Sequence, residues 1–264
     1  QLSHSVLKTL SAMHPNGVTL LDIGTGYGTF VGIARKLGLD ALGIEPALNL
    51  YTAARKRLHN YVLHTTLAGF GKSDKRTFDF ISLIHVIEHL RNPVNELKII
   101  LKLLKPGGIL YIETPNIDSH LARMEKENYT FLTPPDHINL FSRRSLTKLL
   151  GKLDPTLENS AVTYSFPEHL VGILRTLKRN LKPISSPQPH NLRGLPHDRP
   201  GREEIVDPAP KINFFDSTVA PLLTPLLNLG NQGSIIQLYN LMLSGNRNRV
   251  RLLNLLRINK SPKN

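Results

Sequence analysis

Over the first 165 residues, short apolar runs alternate with stretches whose apolar positions recur at helical spacing. Residues 18–23 (VTLLDI) form a continuous apolar run that stops at glycines, as a strand buried on both faces would. Residues 29–37 follow with helical spacing. Residues 41–45 (ALGIE) predict a second strand, residues 48–58 a second helix and residues 61–64 a short third strand. Residues 78–84 (FDFISLI) give a fourth strand, with a helix from about Pro93 to Leu104 after it. The turn Lys105-Pro106-Gly107-Gly108 introduces a fifth strand over residues 108–114 (GILYIET). Strand alternating with helix predicts a parallel sheet with helices on both faces.

The pattern changes after residue 165. Residues 183–210 are dense in proline and polar residues and read as a linker or long loop. Residues 170–182 and 249–260 are basic and apolar, and residues 219–230 are apolar but broken by two prolines. Residues 233–242 (GSIIQLYNLM) fit a strand or a helix and are read as a strand. The division expected is therefore 1–165 as a core and 166–264 as a basic, Pro-rich, partly helical C-terminal region.

Charge sharpens that division. The 264-residue chain carries a formal charge of +13, of which residues 1–165 hold +5 and residues 166–264 hold +8. Such a surface attracts anionic partners, nucleic acid or acidic lipid headgroups. There are no cysteines, which excludes disulfides, thiolate metal sites and a cysteine nucleophile within these residues. No apolar run reaches the ~18–20 residues that a spanning helix needs. The opening residues lack the basic-then-apolar order of a secretory signal and do not begin with Met, as in a fragment of a longer chain. The absence of cysteines is compatible with a cytoplasmic location, which is the expectation.

The first candidate chemistry follows residue 21, in Asp22-Ile23-Gly24-Thr25-Gly26-Tyr27-Gly28. Glycines at alternate positions after a strand let the backbone turn tightly and approach a ligand. A nicotinamide or flavin loop would need glycine at position 29, which is Thr29. Asp22, two residues before the first glycine, suits a cationic or amine-bearing ligand better than a pyrophosphate. Glu45 closes the second strand, where a carboxylate can accept two hydrogen bonds from a ribose diol. The second candidate, His85-Val86-Ile87-Glu88-His89, spells the H-x-x-E-H of one class of zinc peptidases. Such a site needs both histidines one turn apart on a long helix. Here His85 closes a strand-like run and Pro93 limits any helix beyond it, so the peptidase reading is set aside.

These residues carry a family resemblance. LLDIGTGYGTF, GIEPA, FDFISLIHVIEHLRNP and LKPGGILYIETPN resemble, in order and spacing over residues 18–116, the motifs of class I S-adenosylmethionine-dependent methyltransferases. Residues 136–150 (DHINLFSRRSLTKLL) further resemble a subgroup related to ubiquinone-biosynthesis O-methyltransferases and to methyltransferases of glycan clusters. The resemblance implies an α/β, Rossmann-like doubly wound sheet of seven strands, the last antiparallel, with a C-terminal extension or insertion. It places strand six near residues 161–166 and strand seven near 233–242. It also implies S-adenosylmethionine as cofactor. Gly24, Thr25, Gly26 and Gly28 would wrap its methionine part and Asp22 would sit near its amino group. Glu45 would hold the ribose, Thr66 and Leu67 would face the adenine, and His85 would lie beside the methionyl moiety.

The acceptor is narrowed by what is missing. There is no Asn/Asp-Pro-Pro-Tyr after the fourth strand, as base-amine and glutamine methylation in this family use, and no cysteine for C5-pyrimidine attack. With few aromatics and no tryptophan, a stacking platform for nucleic acid is not expected. The resemblance then implies a small-molecule acceptor, a hydroxyl of a glycan, lipid or quinone precursor. His137 is the first candidate base and His89 the second. Resembling quinone methyltransferases that hold Mg²⁺ carry glutamate where this chain has His85, a poor ligand for a hard cation, so no metal is expected. Residues 170–182 and 249–260 fit either peripheral contact with an anionic membrane or packing against the sheet with Lys and Arg reaching outwards. The alternatives are an RNA or protein methyltransferase docking through the basic C-terminal region, and a non-catalytic cofactor-binding protein.

Overall fold

The computed structural model describes residues 2–164 and 235–242. The C-terminal stretches at 170–182, 183–210, 219–230 and 249–260 lie outside them. Seven strands make one sheet in the order β3-β2-β1-β4-β5-β7-β6. They are β1 (Thr19–Ile23), β2 (Asp40–Glu45), β3 (Val62–His64), β4 (Phe78–Ile84), β5 (Leu104–Pro115), β6 (Leu157–Tyr164) and β7 (Ile235–Met242). Strands β1 to β5 pair in parallel, whereas β7 lies antiparallel between β5 and β6. The expected seven-stranded topology is therefore present. The sheet draws β7 from the region beyond residue 165, so the two expected parts share one sheet.

Alternation along the strands decides which helices cover each face. Leu21, Ile23, Ile81, Leu83, Leu110 and Ile112 point to one face. There they meet α4 (Leu67–Ser73), α5 (Pro93–Leu103) and α7 (Arg143–Leu153). Leu20, Phe80, Ile109 and Tyr111 point to the other. There they meet α1 (Leu2–Met13) and α2 (Thr29–Lys36), with Leu58 of α3 (Leu48–Leu58) packed alongside. Strands flanked on both sides need apolar residues at nearly every position, which explains the unbroken runs in β1 and β4. The short α6 (His120–Glu125) packs with Tyr129 in a separate small cluster between β5 and α7. Among the described residues, no helix is long and apolar enough to cross a membrane.

Away from the glycine loop, Asp79 ties the start of β4 to that of β1. Its Oδ2 accepts from the backbone N–H of Val18 (3.0 Å) and Thr19 (2.9 Å), the Thr19 hydroxyl (2.7 Å) and Lys105 Nζ (3.1 Å). Burial opposes its charge, but these donors outweigh burial and hold its carboxyl well below the ordinary aspartate range. A depressed acid contributes stability that is complete above the ordinary value and is lost as the pH falls through the folded one. Asp79→Ala strands several donors, and we expect it to lower the unfolding free energy by about 2–4 kcal/mol in urea titrations at pH 7. An unchanged urea midpoint would show that water replaces the carboxylate at no loss.

Candidate functional site

Parallel strands that end together leave a crevice at their C-terminal edge, where ligands bind in open α/β sheets. The glycine loop lies there. Gly24, Gly26 and Gly28 all adopt left-handed backbone (φ 66°, 56° and 73°). A Cβ on Gly26 would meet nothing within 4 Å, so this glycine leaves open space beside the backbone. Gly28 answers to packing instead: a Cβ there would collide with Leu58 of α3. Thr25 is buried against Gly43 of β2, and the N–H groups of Gly24 and Thr25 both donate to the Ile44 carbonyl.

Two buried acids flank the loop, and they are held differently. Asp22 is only 3% exposed and its Oδ1 accepts from the Ser82 hydroxyl at 2.7 Å. Burial dominates and pushes its carboxyl up to about 6. Glu45 is 4% exposed, yet its Oε2 accepts from Gly26 N–H and its Oε1 from Ala47 N–H, both at 2.8 Å. It thus locks the loop to the end of β2 while each oxygen keeps a lone pair for a ligand hydroxyl. These features fit S-adenosylmethionine: an open backbone cradle, a carboxylate for an amino group and another for a ribose diol. Thr66 caps α4, accepting from Gly69 N–H (3.1 Å), while the Leu67 side chain joins the apolar core. Beside Glu45, His64 stacks on Tyr51 with centroids 4.9 Å apart and contacts the Pro46 carbonyl (3.1 Å). Neither Tyr51 nor His64 was expected at this edge.

The segment after β4 is a turn rather than a helix. His85 has a left-handed φ of 53°, and Ile87–His89 is one 3₁₀ turn. The two histidines of H-x-x-E-H therefore share no helix face, and the zinc-peptidase arrangement is absent. Val86 packs against the loop so closely that a Cβ on Gly24 would lie 2.7 Å from its Cγ2. Glu88 is 1% exposed. It accepts from the Thr114 hydroxyl (2.9 Å) and lies 3.3 Å from His85 Nδ1, while its backbone carbonyl accepts from Ile138 and Asn139 N–H.

That last contact brings the two candidate bases together. His89 and His137 meet edge to face with centroids 4.7 Å apart. His137 Nδ1 lies 2.7 Å from the Phe131 carbonyl, and His89 Nδ1 lies 2.8 Å from the Asp136 carbonyl. A carbonyl only accepts, so each Nδ1 carries a hydrogen and Nε2 is the nitrogen of each ring that is left to accept a proton. Glu88, His89 and His137 bring ligating atoms within 4.8 Å of one another. Both Glu88 oxygens are already engaged by Thr114 and His85, so the arrangement is read as a hydrogen-bonded loop.

A polar row on the α1-facing side of the sheet was missed from sequence. Asp22 pairs in register with Ser82, Ser82 with Tyr111, and Glu113 with Gln237. Glu113, 4% exposed, accepts from Tyr111 Oη (2.5 Å) and Gln237 Nε2 (3.0 Å). An acid inside the run GILYIET was the available signal, because a strand buried on both faces admits a carboxylate only with partners.

Comparison with known proteins agrees with this geometry. A family model described as "Methyltransferase domain" matches residues 1–158. The ubiquinone biosynthesis O-methyltransferase of Aliivibrio fischeri is 31% identical over 162 residues, covering 56% of this chain and 67% of that protein. That of Cereibacter sphaeroides is 32% identical over 122 residues, covering 44% of this chain and about half (49%) of the relative. Among solved structures, a SAM-dependent methyltransferase from Archaeoglobus fulgidus aligns with a TM-score of 0.56 at 17% identity. It covers 90% of this chain and 94% of its own. The plantazolicin methyltransferase BpumL, solved with a triazolic desmethylPZN analogue and SAH, aligns with a TM-score of 0.55 at 15% identity, covering 91% and 83%. With the family model spanning more than half its length, the chain belongs to the class I methyltransferases, enzymes that draw their methyl group from S-adenosylmethionine, and is related to the ubiquinone-biosynthesis O-methyltransferases.

Proposed function

We propose that the protein methylates a hydroxyl of a small-molecule acceptor, in the class of glycan, lipid or quinone precursors, with His137 as the base and His89 beside it. The observation that carries this reading is the imidazole pair with Nε2 of each ring free of the backbone, His89 on the turn whose Val86 touches the glycine cradle and His137 on a segment bonded to that turn. A hydroxyl must lose its proton during attack, and a neutral imidazole is suited to take it near pH 7. The ubiquinone O-methyltransferases among its relatives support a hydroxyl acceptor.

The bound cofactor supplies an electrophilic methyl group on a sulfonium. The chain's own residues hold and orient. Asp22 would face the amino group, Glu45 would accept from the ribose hydroxyls, and Gly24, Thr25 and Gly26 would admit the methionine part with Gly28 fixing the loop on α3. Thr66 and Leu67 would border the adenine, and His85 stands past β4 at the mouth of the site. Holding an acceptor in line is the larger part of such catalysis, and the base adds to it.

Release of S-adenosylhomocysteine, measured over a panel of hydroxyl, amine and carboxylate acceptors, should rise only with hydroxyls. His137→Ala should then lower turnover by about 10²–10³-fold, in the usual range for losing a general base, while S-adenosylhomocysteine binding changes less than about threefold. Intact turnover in that variant would remove His137 from the role, and a response to amines alone would remove the hydroxyl.

A further inference from the structure

The ring of His85 is gripped from both sides. Its Nδ1 lies 3.3 Å from Glu88 Oε1 and its Nε2 lies 3.5 Å from Glu113 Oε1. Both carboxylates are nearly closed to water, 1% and 4% exposed. Two carboxylates addressing both nitrogens of one ring make sense only if both nitrogens carry hydrogens, which is the imidazolium. The backbone points the same way. His85 sits at φ 53°, a region that a non-glycine residue occupies only when its surroundings hold it there. Its own N–H donates to the Glu113 carbonyl at 2.9 Å, so ring and backbone are both fastened to β5.

Two sets of contacts diverge from this ring. Val86, the next residue, presses on Gly24 of the cofactor loop. Glu88 holds Ile138 and Asn139 through its carbonyl, and so places His137 and its contact with His89. Glu113 is fixed by Tyr111 and, across the sheet, by Gln237 of β7. We infer that His85 is a positioning residue: as a cation bridging Glu88 and Glu113 it fixes one turn that sets both the cofactor loop and the acceptor-side histidines. The inference rests on the methyl-transfer reading, but it assigns His85 to holding the site together rather than to touching the cofactor.

The cation is stable at neutral pH. Burial acts to lower its proton affinity, but the bonds and charges of Glu113 and Glu88 outweigh burial and push it up to about 9. Among the described residues, the groups facing it are Glu88 from its own turn and Glu113 from β5, with Tyr111 and uncharged Gln237 behind Glu113. His89 and His137 lie beyond Glu88. Loss of the ring proton to solvent leaves two buried carboxylates facing a neutral ring that can donate to only one of them.

The test is a pH profile of turnover from 6.5 to 10.5, with S-adenosylhomocysteine affinity measured in parallel. Wild-type kcat should fall through an apparent pKa near 9, and S-adenosylhomocysteine affinity should weaken over the same range, because one turn sets both. His85→Arg, which keeps a cation able to bridge both carboxylates, should lack that fall up to pH 10.5. His85→Gln should lose at least tenfold in kcat at pH 7.5 and show no fall at 9, with thermal melting confirming that it is folded. A flat wild-type profile, or a fall that persists in the Arg variant, overturns the inference. If no acceptor is turned over, the proposed function fails first. Nitrogen NMR of the His85 ring then decides this inference separately: both nitrogens protonated at pH 8 supports the bridge, and a neutral ring rejects it.

Discussion

Asp22→Asn should make the cofactor-free protein more stable and the enzyme a poorer binder of S-adenosylmethionine by about 100-fold. The two effects have one cause. Asp22 is almost closed to solvent, and the Ser82 and Thr25 hydroxyls beside it fall short of offsetting burial, so its charge is poorly compensated in the empty fold. Its carboxyl is accordingly pushed from 3.8 to about 6. Between those values the folded state binds a proton that the unfolded chain has released, so stability declines as the pH rises through that window. Above 6 the penalty is complete and constant, on the order of 2–3 kcal/mol by the conversion of about 1.4 kcal/mol per unit. Removing the charge should recover about 1–2 kcal/mol of it at pH 7.5, read as a raised urea midpoint, since the Asn amide still needs a partner.

The same uncompensated charge is what an amino group would pair with. Wild-type affinity should therefore weaken as the pH falls below about 6 and Asp22 takes up its proton, whereas the Asn variant should be indifferent to pH there. Calorimetry from pH 5 to 8 reads both. A variant that binds as tightly as wild type at pH 7.5 would place the amino group elsewhere. A variant that is less stable would mean that Asp22 serves the fold before it serves the ligand.

How much of this was legible in the sequence depended on whether the signal was local. β4 and α3 begin and end at the residues that periodicity indicates, because a both-faces-buried strand and an amphipathic helix carry their pattern within themselves. β5 starts four residues before residue 108, since the turn at Pro106–Gly107 is absorbed into the strand as a bulge beside Phe78 and Phe80. Helices α4 and α6 were not anticipated: α4 is LAGFGKS with two glycines, and α6 has six residues, too few to show a period. In α1 the signal is present but short: Val6, Leu7, Leu10 and Met13 form a one-sided apolar stripe.

In the site, the glycines and Glu45 were visible because a turn or a strand end demands them. The polar row was not, because it exists only after Asp22, Ser82, Glu113 and Gln237 come into register across four strands. Gln237, 124 residues from its partner, could not be linked to Glu113 from either end of the chain. Its side chain also bears on strand choice: a one-residue slip of β7 would turn it to the opposite face and leave Glu113 short of a donor.

Glu45 should behave as the opposite of Asp22, although both are buried acids a few ångströms from one loop. Its two oxygens each accept from a backbone N–H, at Gly26 and at Ala47, so its charge is matched inside the fold before any ligand arrives. Glu45→Gln replaces one acceptor by an NH₂ donor, which must then face a backbone N–H. We expect a loss of about 1–3 kcal/mol in the cofactor-free protein, the usual penalty for a buried donor left without an acceptor. Binding should weaken as well, since the amide offers one oxygen where a diol needs two acceptors and the Gly26 turn loses its anchor. Two charge-assisted bonds at about 1.5 kcal/mol or more each predict a weakening of 100-fold or greater in calorimetry. Destabilisation without weakened binding would confine Glu45 to the loop, and weakened binding at full stability would make it a ligand contact alone. The expected joint loss, set against the gain in stability for Asp22→Asn, separates a carboxylate that builds the cradle from one that the cradle holds at its own expense.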